Sequence, residues 1–135
     1  MVIPKYGLVG GAEGFAAELT EWIAADPRYE VHVFANLWVV SSGRVTFHKV
    51  PVITFPRFLA SSSFAWFAGQ RIAAAGPFDL IHTHDRILRA DVYTMHGVPH
   101  RWCIREVRRK RTSLFDPAIA RVEDRLVFKG GCRRF

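Results

Sequence analysis

The stretch Asp79–Gly97, DLIHTHDRILRADVYTMHG, decides how this chain is organised. It contains two short apolar runs, Asp79–Thr83 and Ala90–Met95, each with the length and the β-branched or aromatic content of a buried strand. The carboxyl ends of parallel strands form the cleft in which an open sheet binds its ligands. The polar side chains that we expect to face this cleft belong to His82, His84, Asp85 and His96.

Strands and helices alternate along the rest of the chain. The sequence predicts strands at Met1–Pro4, Glu30–Ala35 and Arg44–Val50, a glycine-rich turn at Lys5–Gly14, and helices at about Ala12–Ala25 and Phe64–Ala75. Because the first strand is short, we expect residues to precede it. The alternation predicts an α/β fold, a Rossmann-like three-layer sandwich with a mostly parallel sheet, as one domain over residues 1–135.

The predicted helices carry specific signals. Residues at helical spacing in the first helix form an apolar stripe that we expect to face the core: Phe15, Leu19, Trp22 and Ile23. Three serines, Ser61–Ser63, are expected to cap the second helix. Two further helices are predicted, from Pro99 to about Ser113 and from Asp116 to about Phe128.

Composition indicates a globular domain with an anionic partner. Half of the residues are hydrophobic, which excludes a disordered chain, and 19 basic residues against 12 acidic ones leave a net charge of +7. The two cysteines form no metal motif or disulfide framework, and we expect a reducing, cytoplasmic setting. No signal peptide opens the chain and no apolar run nears the roughly 20 residues of a membrane span.

Most of the excess charge lies in the segment 100–111, HRWCIREVRRKR, which contains six basic residues and one glutamate. Three interpretations stay open: a helix resting on an anionic membrane surface, a site for a phosphorylated ligand, or a solvated face. The residues of this surface are Arg101, Trp102, Arg105, Arg108, Arg109, Lys110 and Arg111.

The glycines around the start of the first helix admit two interpretations. Gly10 and Gly11 could let backbone amides approach phosphate oxygens at a helix start, or they could form a plain tight turn. The glycines never form G-x-G-x-x-G, and no acid follows the second strand at Ala35–Asn36. This pattern argues against a dinucleotide cofactor.

Together these motifs resemble one family. Gly10–Glu13 after the first strand, the DLIHTHD run, the TMHG run of 94–97 and the ARVEDRLV helix occur in the order seen in the N-terminal half of family 4 glycosyltransferases of the GT-B fold. The chain is most similar to members that add a hexose to the lipopolysaccharide core. The resemblance implies transfer from a nucleotide-sugar with retention of anomeric configuration, without a metal or other cofactor, at the cytoplasmic face of the membrane.

The resemblance also implies roles for individual residues. His96 would contact the transferred sugar as the catalytic residue, although a histidine that only caps a strand end is the alternative. Gly10 and Gly11 would bind the donor diphosphate. The residues assigned to the acceptor are His84, Asp85, Asp91 and Thr94, of which Asp91 could equally just begin its strand. A zinc site of His82, His84 and His100 is disfavoured because no cysteine or carboxylate set completes it.

Two expectations concern partners. A GT-B transferase needs a second α/β domain, so we expect this chain to be a truncated acceptor domain, inactive alone, whose partners are a C-terminal donor domain, a lipid-linked glycan acceptor and an anionic membrane surface. The alternative is a non-catalytic basic module that binds anionic glycolipid or nucleic acid. No nucleic-acid-binding motif is present, and nucleic acid is not the partner we expect.

Overall fold

The computed structural model describes residues 1–7, 10–39, 42–56 and 59–96 of the chain. The helices predicted over 99–128 and the basic surface of 100–111 lie outside the described residues. In chain order the elements are β1 (Lys5–Tyr6), α1 (Gly11–Ala24), β2 (Val31–Ala35), β3 (Leu37–Trp38), β4 (Val45–Lys49), α2 (Leu59–Ala75), β5 (His82–Thr83) and β6 (Val92–Tyr93).

A row of parallel strands runs through the domain, with the amino-terminal segment at its centre. Strand β2 pairs in parallel with β4 over five residue pairs, and β5 pairs in parallel with β6. Val2 lies between these two pairs and forms parallel bridges to Phe34 of β2 and to Thr83 of β5. The order is therefore β4, β2, the segment around Val2, β5 and β6, which confirms the predicted parallel sheet.

The two helices pack on opposite faces of this sheet. Successive residues of a strand point to opposite faces, so Val33 and Phe34 enter different clusters. One cluster contains Val33 with Ala16 and Ala24 of α1, and the other contains Phe34 with Phe64 and other residues of α2. The arrangement is a helix–sheet–helix sandwich, as the sequence predicted.

The predicted apolar stripe of α1 is wrong. Ala16, Thr20 and Ala24 are the buried residues of the helix, while Phe15 and Trp22 are 48% and 77% exposed. The reason is Tyr6, which the sequence placed in a turn but which lies in β1, fully buried in the cluster that α1 covers. Because this large ring fills the space beneath the helix, only small side chains fit between them.

Helix α2 begins earlier than predicted. It starts at Leu59, so the serines predicted as caps lie inside its first turns. Ser63 is buried, donates a hydrogen bond to the carbonyl of Ala60 (3.1 Å) and accepts one from the backbone N–H of Ile53 (3.0 Å). Its hydroxyl thus joins the incoming loop to the helix. No helix among the described residues is long and apolar enough to cross a membrane.

Strands β5 and β6 are shorter than the apolar runs that predict them, but their pairing determines the site. His82 lies opposite Val92 and Thr83 opposite Tyr93. The backbone N–H of Thr94 donates to the carbonyl of Thr83 at 2.9 Å, which extends this register past both strands. The residues that follow the two strands consequently leave the sheet side by side.

Candidate functional site

Two histidines meet at the carboxyl ends of β5 and β6. Nδ1 of His84 lies 2.6 Å from Nε2 of His96, within hydrogen-bond distance. The ring planes differ by 17° and the centroids are 5.0 Å apart. Rings stacked face to face could not bring two nitrogens this close, so the rings meet edge to edge, in the geometry of a strong in-plane hydrogen bond.

A third histidine and a threonine continue this cluster. Nε2 of His82 lies 2.7 Å from Oγ1 of Thr94, so β5 and β6 are joined by a second side-chain hydrogen bond. The ring of His82 also contacts that of His84, with centroids 4.6 Å apart. We call His82, His84, Thr94 and His96 the histidine cluster. The sequence predicted that the three histidines would share one edge with Asp85, and the structure brings the histidines into contact there.

The inner members of the cluster are held uncharged. Burial, followed by repulsion from His82 and His96, lowers the pKa of His84 from 6.5 to about 4. Burial is also the main cause that lowers the pKa of His82. Near neutral pH both rings therefore carry one proton each and act as polar, neutral groups. His96, in contrast, is exposed and presents the cluster to solvent.

The burial of His84 changes its expected role. The residue is only 8% exposed, its Nδ1 is taken by His96, and its Nε2 is buried without a partner among the described residues. Neither nitrogen is open to an acceptor in this arrangement. The structure therefore supports a contact between His84 and His96 and not the predicted direct contact between His84 and an acceptor.

The start of helix α1 lies beside the histidine cluster. Phe15 packs edge-on against both His84 and His96, with centroid distances of 6.0 and 5.5 Å. Gly10 is the N-cap, its backbone is extended, and no side chain caps the helix. The first amides of a helix lack partners within the helix and its dipole attracts negative charge. An anion bound here would thus lie near the cluster.

The two glycines at this helix start differ in their surroundings. A β-carbon on Gly10 would meet the carboxylate of Glu13, which folds back over the N-cap. A β-carbon on Gly11 would meet nothing within 4 Å. Both glycines are exposed. Space is therefore open above Gly11, as close approach of a ligand to the backbone requires.

Asp85 lies next to the histidine cluster, but its carboxylate is engaged. Its Oδ1 accepts the backbone N–H of Arg86 at 2.7 Å and lies 3.6 Å from that residue's guanidinium. Arg86 in turn donates to the hydroxyl of Ser61 on α2 at 3.2 Å. Neither Arg86 nor Phe15 was among the site residues predicted from the sequence. The adjacency of Arg86 to Asp85 was a signal for the first, whereas nothing in the local pattern indicated the second.

Asp91 is not brought into the cluster. Its Oδ2 accepts the backbone N–H of Ile81 at 2.7 Å, and its own N–H donates to the carbonyl of Ile81 at 2.9 Å. These contacts lie at the amino ends of β5 and β6, opposite the edge that carries His96. The geometry favours the second predicted role, in which Asp91 begins the strand.

The described residues contain no group of three or more histidine, cysteine, aspartate or glutamate side chains arranged to hold a metal ion. His100, the third ligand of the disfavoured zinc site, lies outside the described residues. So do all seven residues of the basic surface. What the described part of the site offers is neutral imidazole, a threonine hydroxyl and a helix start.

Comparison with known proteins gives two matches of different kinds. The sequence model of Glycosyltransferase Family 4 matches residues 9–133. The crystal structure of WaaG, a glycosyltransferase involved in lipopolysaccharide biosynthesis, is similar with a TM-score of 0.68 and 19% sequence identity. That similarity covers 89% of this chain and 34% of the WaaG chain, so this chain spans about a third of its length. No match was found among curated proteins.

Proposed function

Because this chain belongs to glycosyltransferase family 4, we propose that it is the acceptor-side, N-terminal domain of a retaining hexosyltransferase. In this proposal the whole enzyme moves a hexose from a nucleotide-sugar to a lipopolysaccharide-core or other lipid-linked glycan. The family match over residues 9–133 and the Rossmann-like fold that the chain has in common with WaaG support it.

The observation that carries the proposal is the position of His96. This histidine is exposed at the carboxyl edge of the sheet and bonded through Nε2 to a buried histidine. Phe15 connects it to the uncapped start of α1. A donor diphosphate at Gly10 and Gly11 would therefore hold its sugar within reach of His96. An imidazole there can donate a hydrogen bond to a sugar hydroxyl and orient the reacting carbon.

The charge distribution supports an anionic acceptor at a membrane surface, as the proposed lipid-linked glycan would be. The segment 100–111 combines six basic residues and one acidic residue with Trp102. A segment of this composition gains roughly 1 kcal/mol for each basic residue held near an anionic membrane surface. The acceptor residues proposed at this edge are Asp85 and Thr94, whose side chains contact Arg86 and His82 in this structure and would share those contacts with sugar hydroxyls.

The test of transfer uses the full-length protein encoded by the gene. It is incubated with UDP-glucose, UDP-galactose, GDP-mannose or ADP-heptose and with lipopolysaccharide truncated in its core. We expect one donor to give a product whose new linkage has the anomeric configuration of the donor, as measured by NMR coupling constants. Inversion of configuration would contradict the retaining mechanism, and no transfer from any donor would contradict the proposed function.

His96→Ala is the decisive variant, and His48→Ala is its control. Loss of a positioned acid–base or hydrogen-bonding histidine costs about 10²- to 10⁴-fold in rate. His48 is also bonded to another histidine, 2.8 Å from Nδ1 of His32, but has no contact with the histidine cluster. We expect His96→Ala to abolish most transfer and His48→Ala to leave the rate within threefold of the wild type. Equal rates in the two variants would remove His96 from the mechanism.

Acceptor binding is tested with vesicles that contain anionic lipopolysaccharide or only neutral phosphatidylcholine. We expect the protein to prefer the anionic vesicles and Arg108→Ala with Arg109→Ala to weaken this binding. The control pair, Arg44→Ala with Arg71→Ala, removes the same charge from two exposed positions outside the segment. If both pairs weaken binding equally, the segment is only a solvated face that contributes net charge.

A further inference from the structure

His84 is the most buried histidine of the cluster. The transfer proposed above gives it no direct contact with a substrate. The residue is 8% exposed, and its ring contacts those of His82, His96 and Phe15. The one hydrogen bond of its ring among the described residues is the 2.6 Å bond to His96. Any effect of His84 on a bound substrate would therefore pass through His96.

The proton count of this pair is constrained. A neutral imidazole has one N–H donor and one acceptor nitrogen, and the two nitrogens exchange these roles between tautomers. Since His84 is neutral near pH 7, its Nδ1 either donates to Nε2 of His96 or accepts from it. Each choice dictates the state of the remaining nitrogen of His84 and, when His96 is neutral, that of the remaining nitrogen of His96.

The buried Nε2 of His84 distinguishes the two choices. If Nδ1 accepted, Nε2 would carry a proton with no acceptor among the described residues. Buried N–H groups without an acceptor are rare in folded proteins, and buried acceptor atoms without a donor are less so. The favoured arrangement has Nδ1–H of His84 donating and Nε2 of His96 accepting.

We propose that His84 is a positioning residue that holds His96 in one tautomer and one ring orientation through the Nδ1–Nε2 hydrogen bond. In this state the proton of neutral His96 is on Nδ1. The catalytic effect of this positioning rests on the proposed transfer. The tautomer of His96 does not depend on a substrate and can be measured in the free protein. With Nε2 engaged, Nδ1–H is the group that His96 presents as a donor to a sugar hydroxyl.

Phe15 also restricts the orientation of His96. Its ring contacts both imidazoles edge-on, at 61° to His84 and 63° to His96. A ring in this position limits rotation of His96 about its side-chain bonds without competing for a hydrogen bond. In metal sites, mutating a residue that hydrogen-bonds to a metal-binding histidine and orients it lowers activity by about 10- to 100-fold. We expect loss of the His84 bond to lower activity by a similar factor.

The first test reads the tautomer directly by NMR. The full-length protein is prepared with ring-¹⁵N histidine, and long-range proton–nitrogen correlations at pH 7.5 show which nitrogen of each ring carries the proton. We expect His96 to be protonated at Nδ1 in the wild type and at Nε2 for the most part in His84→Leu. A wild-type His96 protonated at Nε2, or an unchanged spectrum in His84→Leu, would overturn the proposal.

The second test is rescue by a conservative variant. The side-chain amide of asparagine can place an N–H close to the position of Nδ1, so His84→Asn retains the donor that His84→Leu removes. We expect His84→Leu to lower kcat at least tenfold with little change in the donor KM, and His84→Asn to recover most of that loss. His48→Leu, which breaks the comparable bond to His32, is the stability control.

The outcomes separate the two proposals. If the wild type transfers no hexose but shows the expected tautomers, the transfer proposal fails and the positioning inference stands. If transfer occurs and His84→Asn is as slow as His84→Leu, the hydrogen bond is not what His84 contributes. If His84→Leu and His48→Leu lower kcat equally, the effect is general destabilisation, and the positioning inference is wrong.

Discussion

The ring of Phe15 packs edge-on against the ring of His96, with centroids 5.5 Å apart and planes at 63°. The contact joins the first turns of α1 to the carboxyl end of β6, two elements separated by most of the described chain. It places the first turns of the helix beside the exposed histidine. An aromatic pair of this kind contributes about 0.5–1.5 kcal/mol beyond the area that it buries.

Phe15→Ala is expected to lower transfer more than it lowers stability. Loss of the ring removes the contact to both His84 and His96 and should cost about 1 kcal/mol in the free energy of unfolding. Because the loss also lets the ring of His96 rotate, we expect kcat to fall several-fold. The transfer rate and urea denaturation are measured on the same variant. The control is Trp22→Ala on the same helix, a side chain that is 77% exposed. Similar kcat values for both variants would show that the Phe15 contact does not position His96.

Gly11→Ala is expected to weaken donor binding without destabilising the domain. A β-carbon at this position meets nothing within 4 Å, and alanine favours helix over glycine by up to about 1 kcal/mol. Only a ligand lying against the backbone would clash with it. We therefore expect the donor KM to rise at least threefold while the urea midpoint stays level or rises.

The matched control is Gly69→Ala, at a helical position of α2 where a β-carbon also meets nothing within 4 Å. It should show the same small gain in stability and no change in the donor KM. If Gly11→Ala and Gly69→Ala behave alike in the transfer assay, the glycines at 10 and 11 form a plain turn.

Asp91→Ala is expected to affect the sheet and not the acceptor. The carboxylate accepts the backbone N–H of Ile81 at 2.7 Å, at an exposed position, so its removal should cost about 1 kcal/mol in the free energy of unfolding. Asp91→Asn keeps an oxygen acceptor and should recover part of this loss. The acceptor KM is expected to stay unchanged in both variants; a rise in either one would restore Asp91 to the acceptor site.

Acid should destabilise the wild type through His84. In the folded protein the pKa of this residue is lowered to about 4, whereas in the unfolded chain it stays near 6.5. The unfolded state therefore binds a proton first as the pH falls. The stabilising contribution is complete above pH 6.5, is lost between pH 6.5 and about 4, and amounts to at most about 3 kcal/mol.

Urea denaturation at pH 7.5 and pH 5 measures this effect, and His84→Asn provides the comparison because it cannot titrate. The difference in unfolding free energy between the two pH values should be smaller in the variant by 1 kcal/mol or more. If the free energy of unfolding depended on pH equally in the two proteins, the pKa of His84 would be the same in the folded and unfolded states.

Local patterns in the sequence were sufficient for the architecture. Short apolar runs between turns predicted the strands β2, β4, β5 and β6, although not the short parallel pair of β1 with β3. Asp26–Pro27 correctly predicted the end of α1 near Ala24. The histidines at the ends of two predicted strands indicated one common edge. These predictions succeed because strand and helix signals depend on the residues' own spacing, and because parallel strands align their carboxyl ends.

Long-range packing decided which side chains face the core and which meet at the site. Helical spacing could not show that Tyr6 would occupy the space under α1, which leaves Phe15 out of the core and beside His96. Nor could the sequence separate the buried His84 from the exposed His96, since both simply follow an apolar run. The hydrogen bond between them joins residues 12 apart and depends on the register of β5 against β6. A shift of one residue in that register would turn the side chains to the other face, so only the tertiary structure could determine their pairing.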